Sequence, residues 1–222
     1  MISALGMDAV GDPPDDCLSS DRQARRRSGI LDQALPLFLQ LGFEGVSMAM
    51  IARAARGSKA TLYTYFNSKA DLFVALMEQS WEQLAEEPGI NRDPMLAHDA
   101  IGWLTAWAAD YLVHINDDTI ITLHRLIIAE AVRFPNLGAR LYAVGPQRGL
   151  LQLSEDLAIL HQRRLLHCDD ADAGSRLLRA LAKSGLYERR LWGIAERPTP
   201  QCIRDEAAQV AASFLRFHPC HD

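Results

Sequence analysis

From Arg22 onward the apolar residues recur at intervals of three and four, the spacing of one face of an α-helix. Ile30, Leu31, Ala34, Leu37, Phe38 and Leu41 form the first stripe, and Gly42 predicts its end. Pro36 lies inside that stripe and predicts a kink, or a straight section ending near Leu35. Met48, Ile51, Ala52 and Ala55 follow Ser47, a good N-cap, and predict a short second helix. Ser58 caps a third short helix that turns Leu62 and Phe66 inward. Ser68 and Asp71 have capping-box spacing, and Leu72, Phe73, Leu76, Ser80 and Leu84 continue as a fourth helix that Pro88 and Gly89 end.

The rest of the chain repeats the pattern. Asp93-Pro94 reads as N-cap and first residue of a fifth helix. Asp117 and Asp118 open a sixth, running to about Arg133. A short helix over 136–144 comes next, and Gly145-Pro146 starts another that reaches about Arg164. Asp170 to about Trp192 is one more, ended by Gly193. Thr199-Pro200 starts the last, with Ile203, Ala207, Val210, Ala211 and Phe214 on one face. No segment alternates with period two, so the chain is expected to be all-α, with nine to ten helices.

Charge changes this picture more than composition does. The net charge is −5, yet residues 21–70 carry eight bases against Asp21, Asp32 and Glu44, or +5. Residues 1–20 carry four acids and no base, show no apolar period, and read as a disordered tail. A basic module is thus attached to an acidic body. No apolar run of 18 residues exists, and the N-terminus lacks the features of a signal peptide, so no membrane association is expected. The cysteines at 17, 168, 202 and 220 form no C-x-x-C pair, which fits a reducing cytoplasm. His114 and His124 do not suggest a metal site, and His218-Pro-Cys220-His221 reads as a frayed end, 218–222. Nucleophile elbows, phosphate loops, dinucleotide fingerprints and zincin motifs are all missing; neither an enzyme nor a cofactor is expected.

Two short Ser-capped helices behind a longer one, joined by a tight turn at Arg56-Gly57, spell a helix-turn-helix. With Leu62 and Phe66 committed to the core, Lys59, Ala60, Thr61, Tyr63 and Thr64 are free to enter a major groove. Ser58 leaves backbone N–H groups facing a phosphate. Arg22, Arg25, Arg26 and Arg27 precede the first helix as a basic arm. Lys59 can donate to guanine and Ala60 can meet a thymine methyl.

The stretch GFEGVSMAMIARAARGSKATLYTYFNSKADLFVAL (42–76) resembles the DNA-binding domain of TetR/AcrR-type transcriptional regulators, a resemblance covering roughly 22–87. LHRLIIAEAVRFPNLGARLYAVGPQRGL (123–150) is similar to the regulatory domain of the AefR-like branch. The resemblance implies a helix-turn-helix domain over 21–68, a linking helix over 69–87, and an effector-binding and dimerisation domain over 88–217. It implies phosphate contacts from Tyr63 and Lys69, with Thr61 and Tyr65 as companions and Ser47 and Met48, which open the second helix, at the DNA backbone, and a homodimer on a palindromic double-stranded operator. One departure stands out: the family turn Ala-Gly-Val-Ser is here Ala55-Arg56-Gly57-Ser58, which predicts either a left-handed or strained Arg56, costing about 1 kcal/mol, or a turn on a slightly different path.

In the body, Trp103, Trp107, Tyr111, His124, Ile127, Ile128 and Tyr142 suggest an aromatic-lined pocket for an apolar or amphipathic effector; the acidic surface disfavours a strongly anionic one unless local bases such as Arg125 override it. The stripes Leu177, Leu178, Leu181, Ala182 and Ala207, Val210, Ala211, Phe214 suggest a four-helix dimer interface. The favoured reading is a repressor released by a small molecule; the alternative is a constitutive DNA-binding architectural or adaptor protein without an effector.

Overall fold

The computed structural model describes residues 15–85 and 93–220, with side chains over 21–80 and 93–220. The first stripe becomes α1 (Asp15–Gly45), longer than its apolar period because the four arginines are wound into the same helix. Residues 15–20, expected in a disordered tail, therefore begin that helix, while 1–14 lie outside the described residues. Proline does not break it: the backbone leaves helical geometry at Gly42, where φ is 70° and ψ 175°. Pro36 sits on an exposed face, where water can satisfy the carbonyl that loses its N–H partner.

Helices α2 (Met48–Ala54) and α3 (Lys59–Tyr65) are capped by Ser47 and Ser58 as the sequence implies. In the turn between them Arg56 has φ 49°, the left-handed conformation expected from the displaced glycine. Gly57 N–H closes the turn on Ala52 O at 2.9 Å. Helix α4 (Lys69–Ala85) opens with the reciprocal bonds of the Ser68–Asp71 capping box, at 2.8 and 3.1 Å. Its expected inward residues Leu72, Phe73, Leu76 and Ser80 are buried. The Leu84 side chain and the Pro88-Gly89 stop lie outside the described residues.

Asp93 caps only a 3-10 turn, Pro94–Leu96, and the long helix α5 (Ala100–Ile115) starts behind Asp99, whose carboxylate accepts the Gly102 N–H at 2.6 Å. Helix α6 (Asp118–Ala131) follows Asp117, as expected. Helices α7 (Pro135–Tyr142) and α8 (Arg148–Gln162) are joined by a π-turn, Ala143–Gln147, so Gly145-Pro146 widens a continuous helix instead of starting a new one. A second π-turn, Lys183–Tyr187, links α9 (Ala171–Ala182) to α10 (Glu188–Leu191). Helix α11 (Pro200–Leu215) closes the chain. Counting each π-joined pair as one, the described residues form nine helices and no strand.

Two apolar cores result. One lies among α1–α4 but also takes in Leu123, Leu137 and Leu141, so α6 and α7 are built into the base of the helix-turn-helix. The other lies among α5, α8, α9 and α11. In it Ala207, Ala211 and Phe214 are fully enclosed and Val210 is 4% exposed. Leu178 and Ala182 are equally enclosed, and Leu177 and Leu181 pack against them. These stripes therefore do not form a face between two chains. Helix α5, with Ala100, Leu104 and Ala108 at its contact positions, already occupies the groove that the sequence seemed to leave for a second copy. The terminal tail is docked as well. His167 N–H donates to Pro219 O at 2.7 Å, and the His218 ring lies 4.6 Å from that of Phe214. His221 and Asp222 lie outside the described residues.

The left-handed arginine gives a direct check. Arg56→Gly should be more stable than Arg56→Ala by about 1 kcal/mol in urea unfolding, since both lose the charge and only glycine relieves the backbone. Equal midpoints would show that Arg56 carries no such strain.

Candidate DNA-binding and effector sites

The outward surface of α2 and α3 is set by what holds them inward. Leu62 and Phe66, 0% and 3% exposed, fix α3 to the core. Lys59, Ala60, Tyr63 and Thr64 then face out, with Thr61 half-buried. Ser58 Oγ accepts the Thr61 N–H at 3.0 Å and lies 2.8 Å from Thr61 Oγ1, while Ser47 Oγ accepts the Met50 N–H at 3.3 Å. Arg22, Arg25 and Arg26 are exposed on α1. Arg26 runs beside the turn, its Nη2 3.3 Å from where a Cβ on Gly57 would lie. The Arg27 guanidinium sits 5.4 Å from the Phe66 ring centroid. The basic arm is thus a helical flank of the turn.

Three of the expected contacts are placed differently. Met48 is 7% exposed and belongs to the core, since it is the first inward position of α2. Tyr65 is half-buried against that core, its ring 6.4 Å from Phe66. Lys69 points back into the protein: its Nζ donates to Phe43 O at 2.6 Å, Val46 O at 2.9 Å and Glu44 O at 3.4 Å, and lies 4.4 Å from the Phe43 ring centroid. Burial lowers its pKa below the usual lysine value, with Glu44 and Glu130 opposing. A cation at the start of α4 runs against that helix dipole, and the carbonyls ending α1 compensate it. No phosphate is needed to explain it.

The expected pocket residues divide into three groups. Trp103 and Trp107 are buried in the second core, and Trp107 stacks on Tyr111 at 5.0 Å and 14°. His124 meets Tyr187, with Nδ1 3.2 Å from the hydroxyl. Ile127 packs instead on the helix-turn-helix core, and Ile128 and Tyr142 are 57% and 54% exposed. These three do not line an enclosure with the tryptophans, because successive positions on α6 and α7 are divided between the core and solvent.

What the sequence reading missed is the polar partner of the aromatic stripe. Arg179 Nε donates to Tyr111 OH at 3.0 Å, Nη1 donates to Pro146 O at 2.5 Å, and the guanidinium covers the Tyr111 ring at 5.4 Å. Lys183 Nζ lies 5.5 Å from the Tyr187 ring centroid. Burial lowers Lys183 to about 8 and His124 to about 4, and pushes Tyr187 up to about 12. The signal was present: Arg179, Lys183 and Tyr187 recur at i, i+4 and i+8, as Trp103, Trp107 and Tyr111 do.

Contacts between the body and the DNA-binding end are specific. Phe134 meets Phe43 edge-on at 5.3 Å. Arg133 reaches Glu44 at 2.7 Å and Arg140 reaches Asp71 at 2.8 Å. Hydrogen bonds from Ser68 and Arg140 hold the Asp71 carboxyl below its ordinary pKa.

Elsewhere, His161, His167 and Asp169 come within 4.8 Å of one another, a grouping that neither sequence spacing nor the helix pattern suggested. His161 Nδ1 accepts the Cys168 N–H at 3.2 Å, which leaves its proton on the Nε2 that faces Asp169. That is the wrong tautomer for ligating a metal through Nε2. Among the described residues no helix is long and apolar enough to cross a membrane.

A DNA-facing helix pair on a larger, separately cored helical body defines a helix-turn-helix regulator. Residues 30–76 match the model of bacterial regulatory proteins of the tetR family, and residues 102–218 match the AefR-like transcriptional repressor C-terminal domain. The chain belongs to the TetR family, whose members are transcriptional regulators that bind operator DNA and dimerise, not enzymes. It is 28% identical over 202 residues to the HTH-type transcriptional regulator AcrR of Shigella flexneri, covering 86% of this chain and 88% of that one. It is 40% identical over 70 residues to the HTH-type transcriptional repressor KstR of Rhodococcus jostii, covering 32% of this chain and only 33% of that relative. A putative TetR-family regulator from Mesorhizobium loti superposes with a TM-score of 0.78 at 25% identity, covering 89% and 98% of the two chains. The Flavonoid-responsive Regulator FrrA does so with 0.73 at 29%, covering 88% and 97%.

The half-buried ammonium makes a prediction opposite to that for a phosphate contact. Lys69→Met should lower stability by about 1–3 kcal/mol, because three carbonyls lose a donor. Its effect on the salt dependence of DNA binding should be nil, where loss of a phosphate contact would reduce the slope by about one. Urea unfolding and binding across salt separate the two.

Proposed function

We propose that this chain is a repressor that binds a near-palindromic operator as a homodimer and is released by a small molecule held in the body. The observation that carries the reading is physical continuity from α6 to the helix-turn-helix. His124 faces the polar aromatic cluster, while Leu123, Leu126 and Ile127 on the same helix pack into the DNA-binding core. A ligand that moves α6 must move α1 and α4, because close-packed cores transmit displacement. The effector then needs only to bind the DNA-incompetent spacing better; about 2.8 kcal/mol of difference shifts the ratio of the two states a hundredfold. FrrA, by its name, responds to flavonoids, which supports an effector of aromatic character here.

Base contacts come from Lys59 and Ala60, and backbone contacts from Ser47, Ser58, Tyr63 and the Arg22–Arg26 flank. The dimer uses the outward side of α11, where Asp205, Ala208, Gln209 and Ala212 are exposed. Val210→Glu would place a charge in the chain's own core and report on folding, whereas Ala212→Arg tests association.

Selection of bound genomic fragments tests the reading. An inverted repeat should emerge, and Lys59→Ala should relax one base position per half-site at a cost of about 1–3 kcal/mol. The double variant Glu44→Ala, Arg140→Ala should keep operator binding and weaken effector-driven release, since it cuts two ties between body and DNA-binding end. Absence of any sequence preference would overturn the DNA-binding assignment. Operator occupancy unmoved by aromatic compounds that bind the body would favour the constitutive reading.

A further inference from the structure

We propose that Trp107, Tyr111, Arg179, Lys183 and Tyr187 form a site for a small aromatic oxyanion, whose charge supplies the counter-ion that the chain does not. The inference rests on the effector-responsive reading above and names the chemistry of the effector. It reverses the expectation, drawn from the acidic surface, that an anion is disfavoured.

Two stripes face each other across the second core. Helix α5 presents the stacked rings of Trp107 and Tyr111, and the α9 segment presents Arg179, Lys183 and Tyr187. Arg179 spends Nε on Tyr111 and Nη1 on Pro146 O, and among the described residues its Nη2 has no partner. Lys183 has the Tyr187 ring beside it and no hydrogen-bond acceptor among the described residues. No carboxylate among the described residues pairs with either. The charges that Lys183 and His124 feel are of their own sign, from Arg179, Lys183 and His114. Two half-buried cations side by side with no anion between them repel each other, and a bound anion relieves that repulsion. A planar carboxylate or phenolate answers both: its oxygens accept from the free guanidinium N–H and the ammonium, and its ring lies along the aromatic stack.

Backbone geometry converges on the same place. One π-turn presents Pro146 O to Arg179, and the other begins at Lys183 and ends at Tyr187. Such turns inside helices recur at functional sites. The second packs against α11: a Cβ on Gly185 would lie 2.0 Å from Glu206 Oε1, so a larger residue there would have to displace that carboxylate.

The full chain is titrated with 2-naphthoate and with its neutral isostere 2-naphthamide, following tryptophan fluorescence and operator release. The acid should bind at least about tenfold more tightly. Arg179→Gln should bring the two together. Binding of the acid should weaken as pH rises past about 8, where Lys183 loses its proton, and Lys183→Met should remove that fall. Over that range His124 stays neutral, and the phenols of Tyr111 and Tyr187 stay protonated. If the variants do not fold, the acid–amide comparison on the unaltered chain decides alone. Equal or tighter binding of the amide overturns the anion site, and so does the lack of a saturable signal from millimolar 2-naphthoate. Tight, charge-selective binding that leaves the operator occupied supports the site and overturns the effector-responsive reading instead.

Discussion

The aromatic contact of Phe38, Phe43, Phe73 and Phe134 is the constraint on which the rest of this protein depends. Phe38 and Phe43 on α1 enclose Phe73 on α4 at 4.7 and 5.3 Å, and Phe134, between α6 and α7, closes on Phe43 at 5.3 Å. Around it, Gly42 bends the end of α1 and Lys69 ties the exposed carbonyls there to the start of α4. Without that closure the last turn of α1 would leave carbonyls unsatisfied beside an apolar cluster, an arrangement that costs stability. The reading helices α2 and α3 hang from this base, so their orientation is set by whatever moves α4, α6 or α7.

The body follows a different logic. Helix α11 gives its whole apolar face to α5 and α9, which leaves a polar, small-residue surface outward. An interface between copies made of that surface would rest on close approach more than on apolar area. The interior of the body is unusual in the other direction. It holds tyrosines, an arginine and a lysine where an all-apolar core would serve stability as well.

Much of the DNA-binding end was legible because its determinants are local. Ser47, Ser58 and Ser68 cap helices through bonds to residues three positions on, and periodicity alone commits Leu62 and Phe66 inward. The displaced glycine was legible for the same reason; of the two outcomes it allowed, a left-handed Arg56 or a different turn path, the structure has the first. Misplaced residues had partners distant in sequence. Lys69 bonds carbonyls 23 to 26 positions away, and Arg179 bonds a tyrosine 68 positions away. Gly145-Pro146 looked like a helix start because proline suits a first turn, but packing kept α7 and α8 continuous through a π-turn.

The sequence by itself determined an all-helical chain, a helix-turn-helix between Ser47 and Tyr65, and the asymmetry between a basic head and an acidic body. Those follow from periodicity, caps and charge, which act over one or two helical turns. Which apolar stripe faces which helix was decided only by the tertiary structure. An amphipathic face states that it must be buried and not against what. The stripe on α11 could have met a second chain, and it met α5. Arg179 on α9 could have met water alone, and it met the Tyr111 ring of α5.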